Sequence, residues 1–301
     1  MGFRIAEVGD EFVLMRRYDP SYRQRGDLIR MLPEWVRNAL TNIETASIDY
    51  TITDLDPIDG SVMIVDHPFT GSFERQAEHL KNFDGTIMCC DRALYKCLEY
   101  DVVPDYVLNV DSSYLVYGFI DRADVRAEMK DITAIFAITT NPITVRMWSG
   151  KRVFFVPSFG MQNLNEALSA SAKLDIVAPG GCVHNTAFSI AWALGSKSVV
   201  LYGIDNSYET IGQAELPKEK HDVVRVSELN KSFLVDNDYR IYAETMFYWM
   251  DEITKMDGDK STVFINVGES GIMYESVARK WGYNRVKIQR KTLSEVATEI
   301  K

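Results

Sequence analysis

Apolar and polar positions alternate in blocks along this chain. From Ser61 onward, short apolar runs take turns with stretches whose apolar residues recur every three or four positions. The short runs predict strands at Val62–Val65, Thr86–Cys90, Tyr106–Val110, Ala134–Thr139, Val153–Val156, Asp175–Ala178, Ser198–Tyr202 and Thr262–Val267. The periodic stretches predict helices near Phe73–Asn82, Arg92–Tyr100, Leu115–Met129, Leu164–Lys173, Val183–Leu194 and Tyr239–Met256. Strands alternating with helices predict a doubly wound, mostly parallel α/β sheet with helices on both faces. Two regions break the alternation. Residues 1–50 read as an N-terminal helical extension, with Leu28, Met31, Trp35, Val36 and Leu40 on one helix face and Pro33 near its start. That apolar face makes a homo-oligomer an expectation, and the clustered Arg16, Arg17, Arg23, Arg25 and Arg30 read as a solvated face. Residues 206–238, within a main domain at 51–301, are polar and irregular, as a lid beside a ligand edge would be.

The most informative stretch is Asp175 to Tyr208. A short strand leads into Pro179-Gly180-Gly181, then a helix from Val183 that Gly195 ends, then the strand Ser198–Tyr202 and Gly203-Ile204-Asp205. Strand, glycine turn, helix, strand is a right-handed βαβ unit. Its helix start presents free N–H groups and partial positive charge, a place for phosphate or carboxylate. Gly180 and Gly181 let a ligand approach, and Cys182, His184 and Asn185 lie in or beside the first turn. The plainer alternative is a tight turn that only packs the helix on the sheet.

Several other strands end in a polar residue: Asp66, Asp91, Asp111, Asn141, Ser158 and Asp205. In a parallel sheet these ends share one edge, where open α/β folds bind ligands. Taken singly, each also reads as a helix cap. Net charge is −10, with 46% apolar and 25% charged residues, which describes an ordinary globular protein and argues against a nucleic-acid surface. The cysteines Cys89, Cys90, Cys97 and Cys182 form no CxxC, and the four histidines show no ligand spacing, so no metal site is expected from them. No targeting segment or membrane span is read, and a cytoplasmic location is expected.

Three runs carry a family resemblance. Cys90-Asp91-Arg92-Ala93-Leu94, Val103-Pro104-Asp105-Tyr106-Val107 and then Asp111 resemble a run of the MptE-like proteins. Those include 6-hydroxymethylpterin diphosphokinases and the Maf (motility accessory factor) proteins of flagellin glycosylation. Pro179-Gly180-Gly181 through Asp205 is similar to the family's second signature, and Asn266 to Gly271 to a late Maf motif. The resemblance spans about residues 40–280. The second signature is also similar to bacterial sialyltransferases that use CMP-sialic acid.

The resemblance implies a Rossmann-like, nucleotide-binding transferase. Tyr208 is similar to a tyrosine that holds nucleotide phosphate, and His221 to a lid base. Ala214 stands where a second such tyrosine would be, and Asp66 to Ser72, with Gly71 and Ser72 as its glycine-serine pair, stands where the family has a GxGPS loop. The first function implied is a glycosyltransferase that joins a nucleotide-activated sugar, CMP-sugar favoured, to a small-molecule or glycan acceptor. Here His221, Asp91 and Asp205 are the catalytic candidates. Gly71, Ser72, Asp111, Asn141, Ser158, Gly180, Gly181, Cys182, His184, Asn185 and Tyr208 are the nucleotide-binding candidates. The second is a pterin-type diphosphokinase using ATP, with magnesium on Asp91, Asp111 and Asp205. The third is a non-catalytic nucleotide-binding module on the same fold.

Overall fold

The computed structural model describes residues 25–66, 72–158, 161–210, 221–257 and 262–299. Helix α1 (Arg25–Thr45) comes first, followed by β1 (Ser61–Val65), α2 (Ser72–Lys81), β2 (Thr86–Cys90), α3 (Asp91–Glu99) and β3 (Tyr106–Asn109). Next are α4 (Tyr117–Ile120), α5 (Ala123–Glu128), β4 (Thr133–Ala137), α6 (Pro142–Met147), β5 (Arg152–Pro157), α7 (Gln162–Ala172) and β6 (Ile176–Val177). Helix α8 (Val183–Ala193) leads to β7 (Ser198–Tyr202), β8 (Asp222–Val226), β9 (Lys231–Val235) and α9 (Asn237–Asp257). The chain closes with β10 (Val263–Asn266), α10 (Glu275–Lys280), β11 (Ile288–Arg290) and α11 (Leu293–Glu299).

Among the described residues, nine strands form one sheet in the order β11-β10-β7-β1-β2-β3-β4-β5-β6, with every pairing parallel. This is the doubly wound α/β sheet that the alternation predicts. Its central strands are buried on both faces, which is why they read as unbroken apolar runs. The chain steps outward from β1 to β6 one strand at a time. Helix α8 then carries it back across β3, β2 and β1, and β7 enters on the other side of β1 in register Ser61↔Ser198 to Val65↔Tyr202. The strand order therefore reverses between β1 and β7.

Helix α8 makes this crossing inside the protein. Every residue from His184 to Ala193 is buried, whereas the sequence pattern predicts one buried face. The reason is a second cover: α9 lies over α8, and Phe188 stacks on Trp249 with ring centroids 6.2 Å apart. Enclosed all round, the helix is apolar through most of its length, with His184, Asn185, Thr186 and Ser189 as its buried polar residues.

Three regions differ from the expectation. Helix α1 starts before Pro33 and runs through it, and Leu40 is 57% exposed. Beside Ala39, α1 buries Asn38 and Asn42, one turn apart. Asn38 Nδ2 donates to Ser112 O and Thr139 O, and Asn42 Nδ2 to Ile138 O and Thr140 O. These carbonyls lie past the ends of β3 and β4, so the helix docks on the carboxyl edge through amides. The single helix expected at 115–129 is broken, because Arg122 takes an extended conformation. Its guanidinium lies over the Tyr95 ring and pairs with Asp124. The irregular segment contains the antiparallel β8–β9 hairpin, whose Val224, Val226, Phe233 and Val235 enter the core beside α9. No described helix is long and apolar enough to cross a membrane.

Candidate active site

The chain goes on from β1 to β2 on one side and from β7 to β10 on the other, and such a reversal of strand order is where open parallel sheets hold their ligands. The head of α8 is brought to this point. His184, in its first turn, is 6% exposed, and its Nδ1 stands 2.8 Å from Oδ2 of Asp66 at the end of β1. Burial alone would keep this imidazole neutral. The neighbouring Cys182, and then the hydrogen bond to Asp66, outweigh burial and push its pKa up to about 10. The carboxylate thus fixes Nδ1–H as a donor. It leaves Nε2–H as a second donor, buried and with no hydrogen-bond partner. A buried donor left unmet costs about 1–3 kcal/mol, a deficit that an incoming anion removes.

Asp91 opens α3 one strand further along. It is 5% exposed, accepts a hydrogen bond from Arg92 N at 2.6 Å and another from Asn109 Nδ2 at 3.0 Å. Burial raises its pKa to about 7. The Arg92 backbone bond opposes that rise, and the charges of Asp111 and Asp66 add to it. A carboxyl group poised near neutrality can take or give a proton at working pH.

A run of rings continues from His184. Tyr242 is 6.4 Å from it, Tyr239 is 6.3 Å from Tyr242, Tyr208 is 4.9 Å from Tyr239, and His221 is 5.7 Å from Tyr208, centroid to centroid. The loop after β7, the head of α9 and the start of the hairpin segment thus share one aromatic wall, with a histidine at each end. Tyr208 pairs its backbone with Leu234 and donates its hydroxyl to Asp236 Oδ2 at 3.1 Å. Asp236 Oδ1 in turn accepts from Tyr239 N at 2.8 Å. Burial first, and then the neighbouring Tyr208, raise the Tyr239 hydroxyl well above its ordinary value.

The remaining candidates divide. Asp205 is buried, and the late motif grips its backbone. Ile272 N donates to Asp205 O at 2.9 Å, and a Cβ on Gly271 would meet Asp205 Cα at 2.4 Å, so only glycine fits there. At the glycine turn, what the bare Cα of Gly180 makes room for is protein: a Cβ there would fall 2.5 Å from Trp249 and 2.6 Å from Asn185 Cβ. Asn185 is buried and ties the turn to α9 through Gly180 O and Tyr242 O. Gly181 is exposed, and Cys182, the N-cap of α8, is partly exposed. The open part of the helix start is therefore Gly181 to Val183.

Asp111, Asn141 and Ser158 follow β3, β4 and β5. With strands about 4.8 Å apart, Asp205 and Ser158 are separated by roughly 24 Å, so the strand-end residues line an edge and do not ring one crevice. Asn141 caps α6, accepting from Ile143 N at 3.0 Å. Asp111 is exposed and accepts from Ser113 N at 2.8 Å. Ser158 N bonds Val177 O, bracing β6. Gly71 lies outside the described residues, and Ser72 opens α2. Asp91, Asp111 and Asp205 are not brought together, and no group of three His, Cys, Asp or Glu gathers to hold a metal among the described residues. Asn109 and Asp236 belong to the site although neither carries a local motif. Their signal is position, at a strand end and a helix start.

Residues 71–210 match the family described as 6-hydroxymethylpterin diphosphokinase MptE-like. The matched stretch runs from the head of α2 past β7 and takes in Asp91, the α8 start and Tyr208. Among solved structures, the fold is similar to that of the Maf glycosyltransferase from Magnetospirillum magneticum AMB-1. The TM-score is 0.63 at 12% identity, over 88% of this chain and 40% of that one. At that identity the likeness is one of fold, and this chain spans well under half of that protein's length. Comparison with curated proteins gives no match. The MptE-like and Maf resemblance read from the motifs is thus met by both the family match and the fold.

Proposed function

We propose that this chain is a nucleotide-dependent transferase, a Maf-like and sialyltransferase-like glycosyltransferase that uses a nucleotide-activated sugar, with a CMP-sugar favoured. The observation that carries the reading is His184, held by Asp66 at the head of α8, with an unmet donor at the switch point between β1 and β7, where this reading places a nucleotide crevice. In the transfer, an acceptor hydroxyl oxygen bonds to the anomeric carbon while that carbon's bond to the phosphate oxygen breaks. The departing nucleotide carries the new negative charge. The α8 start and the His184 imidazolium stabilise it, the latter through Nε2–H. Asp91, ionised above its pKa of about 7, takes the acceptor's proton. His221 is the alternative base at the far end of the aromatic wall.

The matched family's description favours a second reading, ATP-dependent diphosphoryl transfer to a hydroxymethylpterin. That chemistry draws on metal-held carboxylates. Asp205, at the end of β7, is separated from Asp91 and Asp111 by strand β1 or by both β1 and β2. This spread supports placing the sugar-transfer reading first. The test is product formation across a panel of CMP- and UDP-sugars, with a magnesium–ATP–hydroxymethylpterin arm beside it. Sugar-nucleotide turnover is expected. AMP release in the pterin arm with silence in the sugar arms would replace the first reading by the second. Silence and no binding in both arms would leave the non-catalytic module.

A further inference from the structure

The late motif, Asn266 to Gly271, does more than brace Asp205. It also forms the floor of a separate cleft of ≈590 Å³ at the carboxyl ends of β10 and β11, between α2 and the start of α11. Its shape is fixed from below. Asn266 Oδ1 accepts from Gly268 N at 2.7 Å, Asn266 Nδ2 donates to Met273 O at 2.8 Å, and the Tyr274 hydroxyl donates to Gly268 O at 2.7 Å. Glu269 is held from the side by Arg75 at 2.7 Å and Gln76 Nε2 at 2.9 Å. Arg290 is held from behind by Glu228 O at 2.9 Å, and Lys291 adds a further cation. A volume of this size accommodates a monosaccharide or disaccharide.

Two features indicate the occupant's chemistry. Arg75, Arg290 and Lys291 line the cleft against the carboxylates of Glu269 and Glu295, so this is a locally cationic patch on a chain of net charge −10. Gln76 spends its amide nitrogen on Glu269, and its Oε1 is buried with no hydrogen-bond partner. An acceptor oxygen in that state calls for a donor, which a bare anion cannot supply and a hydroxyl can. We infer that this cleft binds a small hydroxylated anion, a sugar carrying a carboxylate or phosphate, as the acceptor side of the transfer. The acceptor role rests on the proposed transferase reading; the binding site does not. Strand β10 is the hydrogen-bonded neighbour of β7, so the cleft opens within about two strand spacings, roughly 10 Å, of the crevice.

Calorimetry on the full chain tests this with glucuronate, glucose 6-phosphate, glucose and inorganic phosphate as probes, and with CMP titrated separately. Saturable binding of glucuronate or glucose 6-phosphate is expected, with the better of the two showing which anion the cleft takes. Gln76→Leu and Lys291→Gln should each weaken it at least tenfold at an unchanged thermal midpoint and unchanged CMP affinity. His184→Gln should weaken CMP and leave the sugar anion bound. No preference for the sugar anions over glucose, or phosphate binding as well as they do (an adventitious ion only), would overturn the inference. So would full binding by both cleft variants. Sugar-anion binding without CMP binding would sink the CMP-sugar reading alone and leave the cleft standing as a site.

Discussion

The carboxyl edge of the sheet has two halves built from similar residues. Past β3, β4 and β5 most polar side chains are engaged in structure, although Asn42 Oδ1 and Ser112 Oγ are buried without a partner. Asn141 caps a helix, Asp111 closes a turn, and Asn38 and Asn42 of α1 clamp four backbone carbonyls. Past β7, β1 and β2 the buried polar groups include titratable ones whose protonation the surroundings shift. His184 Nε2 lacks a partner, and Asp91 is held near neutrality. Residue type does not separate the halves; both are rich in Asp and Asn. What separates them is the reversal of strand order, which brings the His184–Asp66 pair to one half, while a helix docks on the other.

The sharpest way to break this contrast is His184→Gln. It keeps a polar side chain at the head of α8 and removes the cation, so turnover should fall about 100- to 1,000-fold in steady-state assays. An unchanged rate would put the His184 half on a par with the helix-docked half.

Asp91→Asn should cost both rate and the pH response. In the wild type the folded carboxyl titrates near 7, against 3.8 for the ordinary group. Below 3.8 both states hold the proton and nothing is lost. As pH rises from there through 7, the unfolded chain ionises first, and folding stability drops by about 4 kcal/mol at most. His184 works in the same direction but later: its stabilisation is complete below 6.5 and lost as pH rises through about 10. Urea unfolding between pH 4.5 and 6.5 therefore isolates Asp91. The Asn variant should lose the downward slope there, and its activity profile should lose the limb near pH 7.

In the helix-docked half the effects are on stability alone. Asn42→Ala removes two buried hydrogen bonds of 2.8 Å and leaves Ile138 O and Thr140 O without that donor, which should cost roughly 2–3 kcal/mol in chemical denaturation at full turnover per folded molecule. Asn141→Ala, the loss of a cap, should cost about 1 kcal/mol and leave the rate alone.

Much of the fold is legible in the sequence because strands buried on both faces leave continuous apolar runs. Thr86–Cys90 and Ser198–Tyr202 are read to the residue. The β8–β9 hairpin is obscured by its solvent face of Asp222, Arg225, Lys231 and Ser232. Its signal is the buried alternation of Val224 and Val226 with Phe233 and Val235 around Asn230 at positive φ. For the site, the sequence places Asp91, His184, Tyr208 and His221 near one edge and ranks His221 as base ahead of His184. Of the two groups that raise His184, Cys182 is two residues away, but the hydrogen bond to Asp66 joins residues 118 positions apart, and no local pattern encodes it. Asn38 and Asn42 carry no signal in the sequence for a different reason. Polar residues on a helix read as solvent-facing, and here they are the buried contact because the surface they meet is made of carbonyls.

The most direct measurement is a crystal structure with CMP bound. The account predicts phosphate oxygens within hydrogen-bond distance of His184 Nε2 and of the backbone N–H groups at the open start of α8. A nucleotide seated elsewhere, with His184 Nε2 still unpartnered, would contradict it.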